Sequence, residues 1–281
     1  MPSPPPPTTP AQVLQACATS PLPAILSTLA ACPNPPHASQ MADMAVKHDR
    51  ADLFQHLLAT GTSTDYIPRK EIVHKRSTTL LQVLLDNGWD INDYLGGYMG
   101  CALTQAILTR ADVDFIAWLL ERGADPNGPP GGIDHCGYAL RLAMQITRPD
   151  DPAGAGAGPS RVARMLVERG ADVDLSKALH VAAEKRGVEW VRWLVEVAGA
   201  DVDAPGLDPD WACATDVERG IGRPLHYAAR NPDPAVARYL VERGADRGQK
   251  DTSGRTPREV AELLGHGKQA RILAVEEGES R

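Results

Sequence analysis

The stretch Arg223-Pro-Leu-His-Tyr-Ala-Ala-Arg-Asn-Pro-Asp-Pro-Ala-Val-Ala-Arg-Tyr-Leu-Val-Glu-Arg-Gly-Ala-Asp246 decides the fold. Its second half carries apolar residues at Val236, Tyr239 and Leu240, an i, i+3, i+4 pattern that puts one buried stripe on a helix of about three turns. Asp233 before Pro234 marks the helix start, because an N-cap carboxylate and a proline at the first helical position both suit free backbone donors. Gly244 marks its end, where a left-handed C-cap selects the residue without a Cβ.

The same ending recurs along the chain as Leu-Leu-Ala-Thr-Gly61, Leu-Leu-Asp-Asn-Gly88, Leu-Leu-Glu-Arg-Gly123 and Leu-Val-Glu-Arg-Gly170. A variant, Leu-Val-Glu-Val-Ala-Gly199, has one extra residue. Eight residues before the five regular glycines stand Leu53, Leu80, Phe115, Val162 and Val236, and five before stand His56, Val83, Trp118, Met165 and Tyr239. His56 is the one polar residue in the stripe. Ala-Asp follows the glycine at 124–125, 171–172, 200–201 and 245–246. Upstream, Ala178-Leu-His180-Val-Ala-Ala183 and Pro224-Leu-His226-Tyr-Ala-Ala229 read as a shorter first helix whose small alanines allow close approach of the next unit.

These units resemble the ankyrin repeat family, whose pattern runs T-P-L-H-x-A-A, a turn, a second helix ending L-L-x-x-G-A-D, and a hairpin loop. The likeness covers nearly all of Arg223 to Asp246, restarts at Gly254-Arg-Thr256-Pro257, and is stronger from about Gly100 to Leu273 than before it. It implies an all-α repeat solenoid of seven to eight helix pairs with β-hairpin or loop fingers. We expect a disordered Pro-rich tail over 1–9, divergent helix pairs over 10–99, ankyrin-like repeats over 100–250 and a capping repeat over 251–281. In the divergent part, Val13 to Leu29 and Met41 to Leu58 read as helix pairs, and a further helix begins near Pro68.

Successive glycines are 27, 35, 47, 29 and 45 residues apart, against a family period of about 33. One long interval holds a Gly-Ala-Pro insertion at 148–159, compositionally a flexible loop. The other holds 204–222, at the place of a finger between units, which in this family is the binding side. The second insertion is acidic, with Asp208, Asp210, Asp216 and Glu218, which favours a partner of basic or mixed surface. It also carries Trp211, which no helical stripe buries. That indole either folds back on a small satellite core or is offered to a partner. Tyr94 and Tyr98, in an earlier finger, pose the same alternative. Trp118 and Trp193 are expected to pack within second helices, with Trp190 capping their layer. The resemblance further nominates the two residues after each Ala-Ala pair, Glu184 with Lys185 and Arg230 with Asn231, as facing the concave groove.

Composition removes several classes of function. A net charge of −7, with 29 Lys plus Arg against 36 Asp plus Glu and no basic run, argues against nucleic acid as partner. No apolar run approaches the ~20 residues needed to span a bilayer, and the N-terminus lacks the features of a secretory signal. Five scattered cysteines with no C-x-x-C fit a reducing intracellular compartment, cytoplasmic or nuclear. His180 and His226 invite a general-base reading, but no nucleophile recurs beside them, and the resemblance makes this His structural, bonding to the adjoining loop. Asp134-His135-Cys136 are consecutive and have no second cluster at ligand spacing, so no metal site is expected. No catalytic residue and no cofactor follows from the sequence. The expected function is a monomeric, non-catalytic module that binds a protein or peptide. An adaptor or substrate receptor of a ubiquitin-ligase or regulatory complex is the alternative, and a helical-repeat enzyme a more remote one.

Overall fold

The computed structural model describes residues 8–64, 67–96, 100–128, 139–146, 158–208, 212 and 214–274. Among these the chain is all helical, with α1 Pro10–Thr19, α2 Leu22–Ala30, α3 Ala38–Lys47, α4 Ala51–Ala59, α5 Arg69–Lys75, α6 Thr78–Asp86 and α7 Ala102–Leu108. There follow α8 Val113–Glu121, α9 Ala139–Gln145, α10 Arg161–Glu168, α11 Ala178–Lys185, α12 Val188–Glu196, α13 Ala214–Arg219, α14 Pro224–Arg230, α15 Pro234–Glu242, α16 Pro257–Leu263 and α17 Gly267–Ile272. Fourteen of the seventeen form seven packed pairs of successive helices and α13 lies in the long finger, and the fold is an all-α repeat solenoid.

The helices divide into two compact units, residues 1–111 and 112–281. In the first, α1 packs on α3, α5 on α7 and α4 on α6. In the second, the first helices form the row α9, α11, α14 and α16, while α12, α15 and α17 pack side by side behind them. Leu166, Leu194, Leu225, Val236 and Leu240 lie in the buried interior between the rows.

Local chemistry fixes the helix ends. Ser77, Asp112, Ser160, Asp233 and Thr256 each accept a backbone N–H from the first turn of the helix they precede, and Thr256 completes a capping box with Glu259. Thr9 does the same for α1 with Gln12, so it belongs to the first helix and not to the tail expected over 1–9. At the other end Gly244 has φ +89°, and the buried Ala245 after it donates to the Leu240 carbonyl at 3.0 Å. Ala124 and Ala171 close the same turn onto Leu119 and Leu166. The variant unit absorbs its extra residue here: Ala200 donates six residues back, to Leu194, and Val197 is pushed out to solvent.

The tryptophans depart from the expectation. Trp190 is buried, at the third position of α12 that Val236 holds in α15, whereas Trp118 and Trp193 are half-buried and their rings meet Arg122 and Trp190 respectively.

Two sets of polar contacts join neighbouring repeats. The residue four after the glycine accepts the backbone N–H of the next repeat's Ala-Asp aspartate: Asn127 from Asp172 at 2.6 Å, Asp174 from Asp201 at 3.1 Å and Asp203 from Asp246 at 3.1 Å. Gly248 has no side chain for the equivalent contact. The second set caps the free carbonyls at the ends of first helices. Arg50 donates to Cys17, Lys75 to Val46 and Lys47, Arg186 to Met144, Asn231 to Ala183 and Arg186, and His266 meets Ala229.

Candidate functional site

The place to look for a site is the open side of the first-helix row in the second unit, where the long finger meets α11 and α14. The finger closes at its neck. A Cβ on Gly206 would lie 2.7 Å from the Gly222 carbonyl oxygen and one on Gly222 would run into the His226 ring, so both positions require glycine. Beyond the neck the finger carries α13, a short helix where a loop or hairpin was expected.

The finger is tied down at three points. Arg219 at the end of α13 pairs with Glu184 of α11. Arg230 of α14 donates to the Arg219 and Gly220 carbonyls at 2.8 and 2.6 Å while its guanidinium lies 4.7 Å over the Tyr227 ring. Arg255, itself paired with the buried Asp251 at 2.9 Å, donates to the Arg219 carbonyl. Burial pushes the Arg230 guanidinium below its usual range and the Tyr227 phenol above its own, so both sit in a partly dehydrated layer.

The expected site residues are distributed unevenly. Glu184 is half-buried in its pair with Arg219, and Lys185 is exposed at the end of α11. Arg230 holds the finger. Asp208 is exposed on the finger. Asn231 does not face the groove: it is 4% exposed, its side-chain amide donates to Ala183 and Arg186 and accepts from the Asp233 N–H, and its carbonyl accepts from Gln269 at 2.7 Å. The expectation fails for it because a residue just past a helix end is pulled inward when the preceding repeat offers unpaired carbonyls. Tyr94 is 41% exposed and belongs to the first unit. Trp211, Asp210 and Tyr98 lie outside the described residues, as do Asp134-His135-Cys136 and most of the 148–159 insertion.

His180 and His226, on the first helices α11 and α14, are both buried. His226 accepts the Arg223 N–H at Nδ1, 3.1 Å, and its Nε2 meets the Arg255 carbonyl at 3.0 Å, the bond to the adjoining loop that the resemblance implies. His180 is 3% exposed with its ring edge-on to Tyr227 at 5.2 Å, and neither ring nitrogen closes a hydrogen bond. Burial, then the positive charge of Lys177, pushes it down to about 3, with the Ala204 backbone pulling the other way. Both rings are therefore neutral near pH 7. Among the described residues no group of three or more His, Cys, Asp and Glu side chains is placed to hold a metal ion, and no helix is long and apolar enough to cross a membrane.

Comparison with known proteins identifies the class. Family models for ankyrin repeats match residues 178–207 and 213–261. The "Ankyrin repeat and SOCS box protein 11" of Danio rerio is 32% identical over 108 residues, 37% of this chain and 32% of its own length, so the match spans about a third of that relative. Two solved ankyrin structures share the fold. The ankyrin repeat protein EF0377 aligns with TM-score 0.50 and 23% identity over 72% of this chain and 94% of its own. The human ASB11 ankyrin repeat domain aligns with TM-score 0.52 and 21% identity over 85% and 99%. The chain thus carries ankyrin repeats, and its fold is that of ankyrin repeat proteins.

Proposed function

We propose that the protein is a non-catalytic interaction module that holds a protein or peptide partner against α11, α14 and the long finger. Ankyrin repeats mediate protein–protein interaction, and one observation supports a contact on this face. A long insertion left free would be a flexible loop, whereas this one is pinched at Gly206 and Gly222 and fastened by Arg219, Arg230 and Arg255. Preorganised fingers lose less entropy on binding than mobile ones. The exposed Lys185 and Asp208, together with Glu184, Tyr227 and Trp211, are the residues we assign to the contact, with Tyr94 and Tyr98 on the first unit as a second patch. The module acts as a monomer, and its buried free thiols Cys17, Cys32 and Cys101 suit a reducing intracellular compartment.

The test uses a partner captured from the source cells. Trp211→Ala is expected to weaken its binding by ~2 kcal/mol or more, as loss of a central aromatic anchor does, with the melting temperature close to that of the parent. An unchanged dissociation constant, or an unfolded variant, would make the finger a structural patch. A second reading, substrate receptor in a ubiquitin-ligase complex, is favoured by the likeness to a relative whose name joins ankyrin repeats to a SOCS box. Co-purification of ligase subunits with the tagged chain supports that reading, and their absence from a preparation that retains the partner removes it.

A further inference from the structure

Between α9, α11, α14 and the finger lies a cavity of about 60 Å³ whose charge runs against that of the chain. Arg141, Lys177, Lys185 and Arg219 line it against only Glu184 and Asp216, four cations to two carboxylates, whereas the whole chain is at −7. Glu184 is already engaged by Arg219. Among the described residues the buried Nε and Nη1 of Arg141 have no hydrogen-bond partner. Neither has the ring of His180, which lines the same cavity. Buried guanidinium donors almost always find acceptors, because each one left unpaired costs the desolvation of a charged group. Burial pushes the Lys177 ammonium below its usual range, with Asp174 and Asp172 opposing and the charge of Arg141 adding the smallest share.

We propose that this cavity is a carboxylate subsite, taking the side chain of one Asp or Glu from the bound protein or peptide. The inference rests on the reading of this face as the partner-binding groove and adds the chemistry of one contact. A carboxylate supplies what the Arg141 donors lack, two acceptor oxygens that match the parallel donors of a guanidinium. The volume, room for roughly four or five waters, admits such a group and excludes an indole or a nucleobase. His180, uncharged, offers a ring N–H or a ring acceptor beside it. The finger surface around the cavity is acidic, so the partner segment is of mixed charge: one acid enters, and basic residues flank it over Asp208 and Glu218.

A randomised peptide library panned on the full chain tests this without a known partner. The selected peptides should share one acidic position, and replacing that acid by its amide in a synthetic peptide should raise Kd about tenfold or more, as expected for a buried charge pair. Arg141→Gln should raise Kd by a similar factor at unchanged melting temperature and should abolish the difference between acid and amide peptides. Lys177→Gln provides a second variant if the first is poorly folded. A library that yields no binder, peptides with no shared acid, or equal affinity for acid and amide overturns the subsite. If such non-acidic peptides still lose affinity on Lys185→Glu, only the subsite falls. If they bind independently of Lys185 and of Trp211, the groove reading falls with it.

Discussion

Leu240→Ala is expected to lower the unfolding free energy by ~2–5 kcal/mol, the range for a leucine removed from a packed core that only partly collapses around the gap. Leu240 is fully buried on α15, which packs on α14 of its own repeat and on α12 and α17 of its neighbours, and its carbonyl also receives the Ala245 N–H that closes the helix. In a repeat array such a residue supports one repeat and two interfaces together. Equilibrium urea unfolding measures the loss. A change below about 1 kcal/mol would mean that the neighbouring repeats close over the cavity and that the rows are packed more loosely than this structure has them.

Acid lability is the second large effect. His180 is held at about 3 in the folded chain, against about 6.5 in the unfolded one, and burial pushes His226 down as well. Below pH 6.5 the unfolded chain therefore binds more protons than the folded one, so stability is full above that value and falls as the pH drops towards the folded pKa. One such histidine contributes a slope of about 1.4 kcal/mol per pH unit, or roughly 2 kcal/mol between pH 6.5 and 5. Urea unfolding at pH 7 and pH 5 should show at least this difference, with the His180 imidazole resonance unmoved between them. A His180 resonance that titrates near pH 6.5 in the folded protein would contradict the burial that produces the effect.

The repeats were legible because their signals are local and spaced. Glycine at φ near +90°, the stripe Val236, Tyr239 and Leu240, and the Asp233-Pro234 start are each set by a few consecutive residues. The His226 bond to Arg255 followed from the family pattern. The contacts that cap first helices were not legible, because Arg, Lys, Asn and His share the task and no single residue type marks the position. Asn231 shows the consequence, since its position in the repeat suggested the groove while carbonyls at the end of α11 drew it inside. The Asn127, Asp174 and Asp203 contacts did leave a signal, an amide or acid four residues after the glycine, whose meaning emerges only when successive repeats are stacked. The cavity beside Arg141 had no signal at all, being made of residues from three helices and the finger.

Hydrogen–deuterium exchange on the full chain, with and without its captured partner, bears most directly on the proposal that this face binds. Partner-induced protection is expected over the amides of 178–185 and 204–230, where α11, α14 and the finger meet, with the amides of α15 and α17 unchanged. Protection confined to α12, α15 and α17, or none in residues 178–230, would place the partner on another surface and contradict the groove.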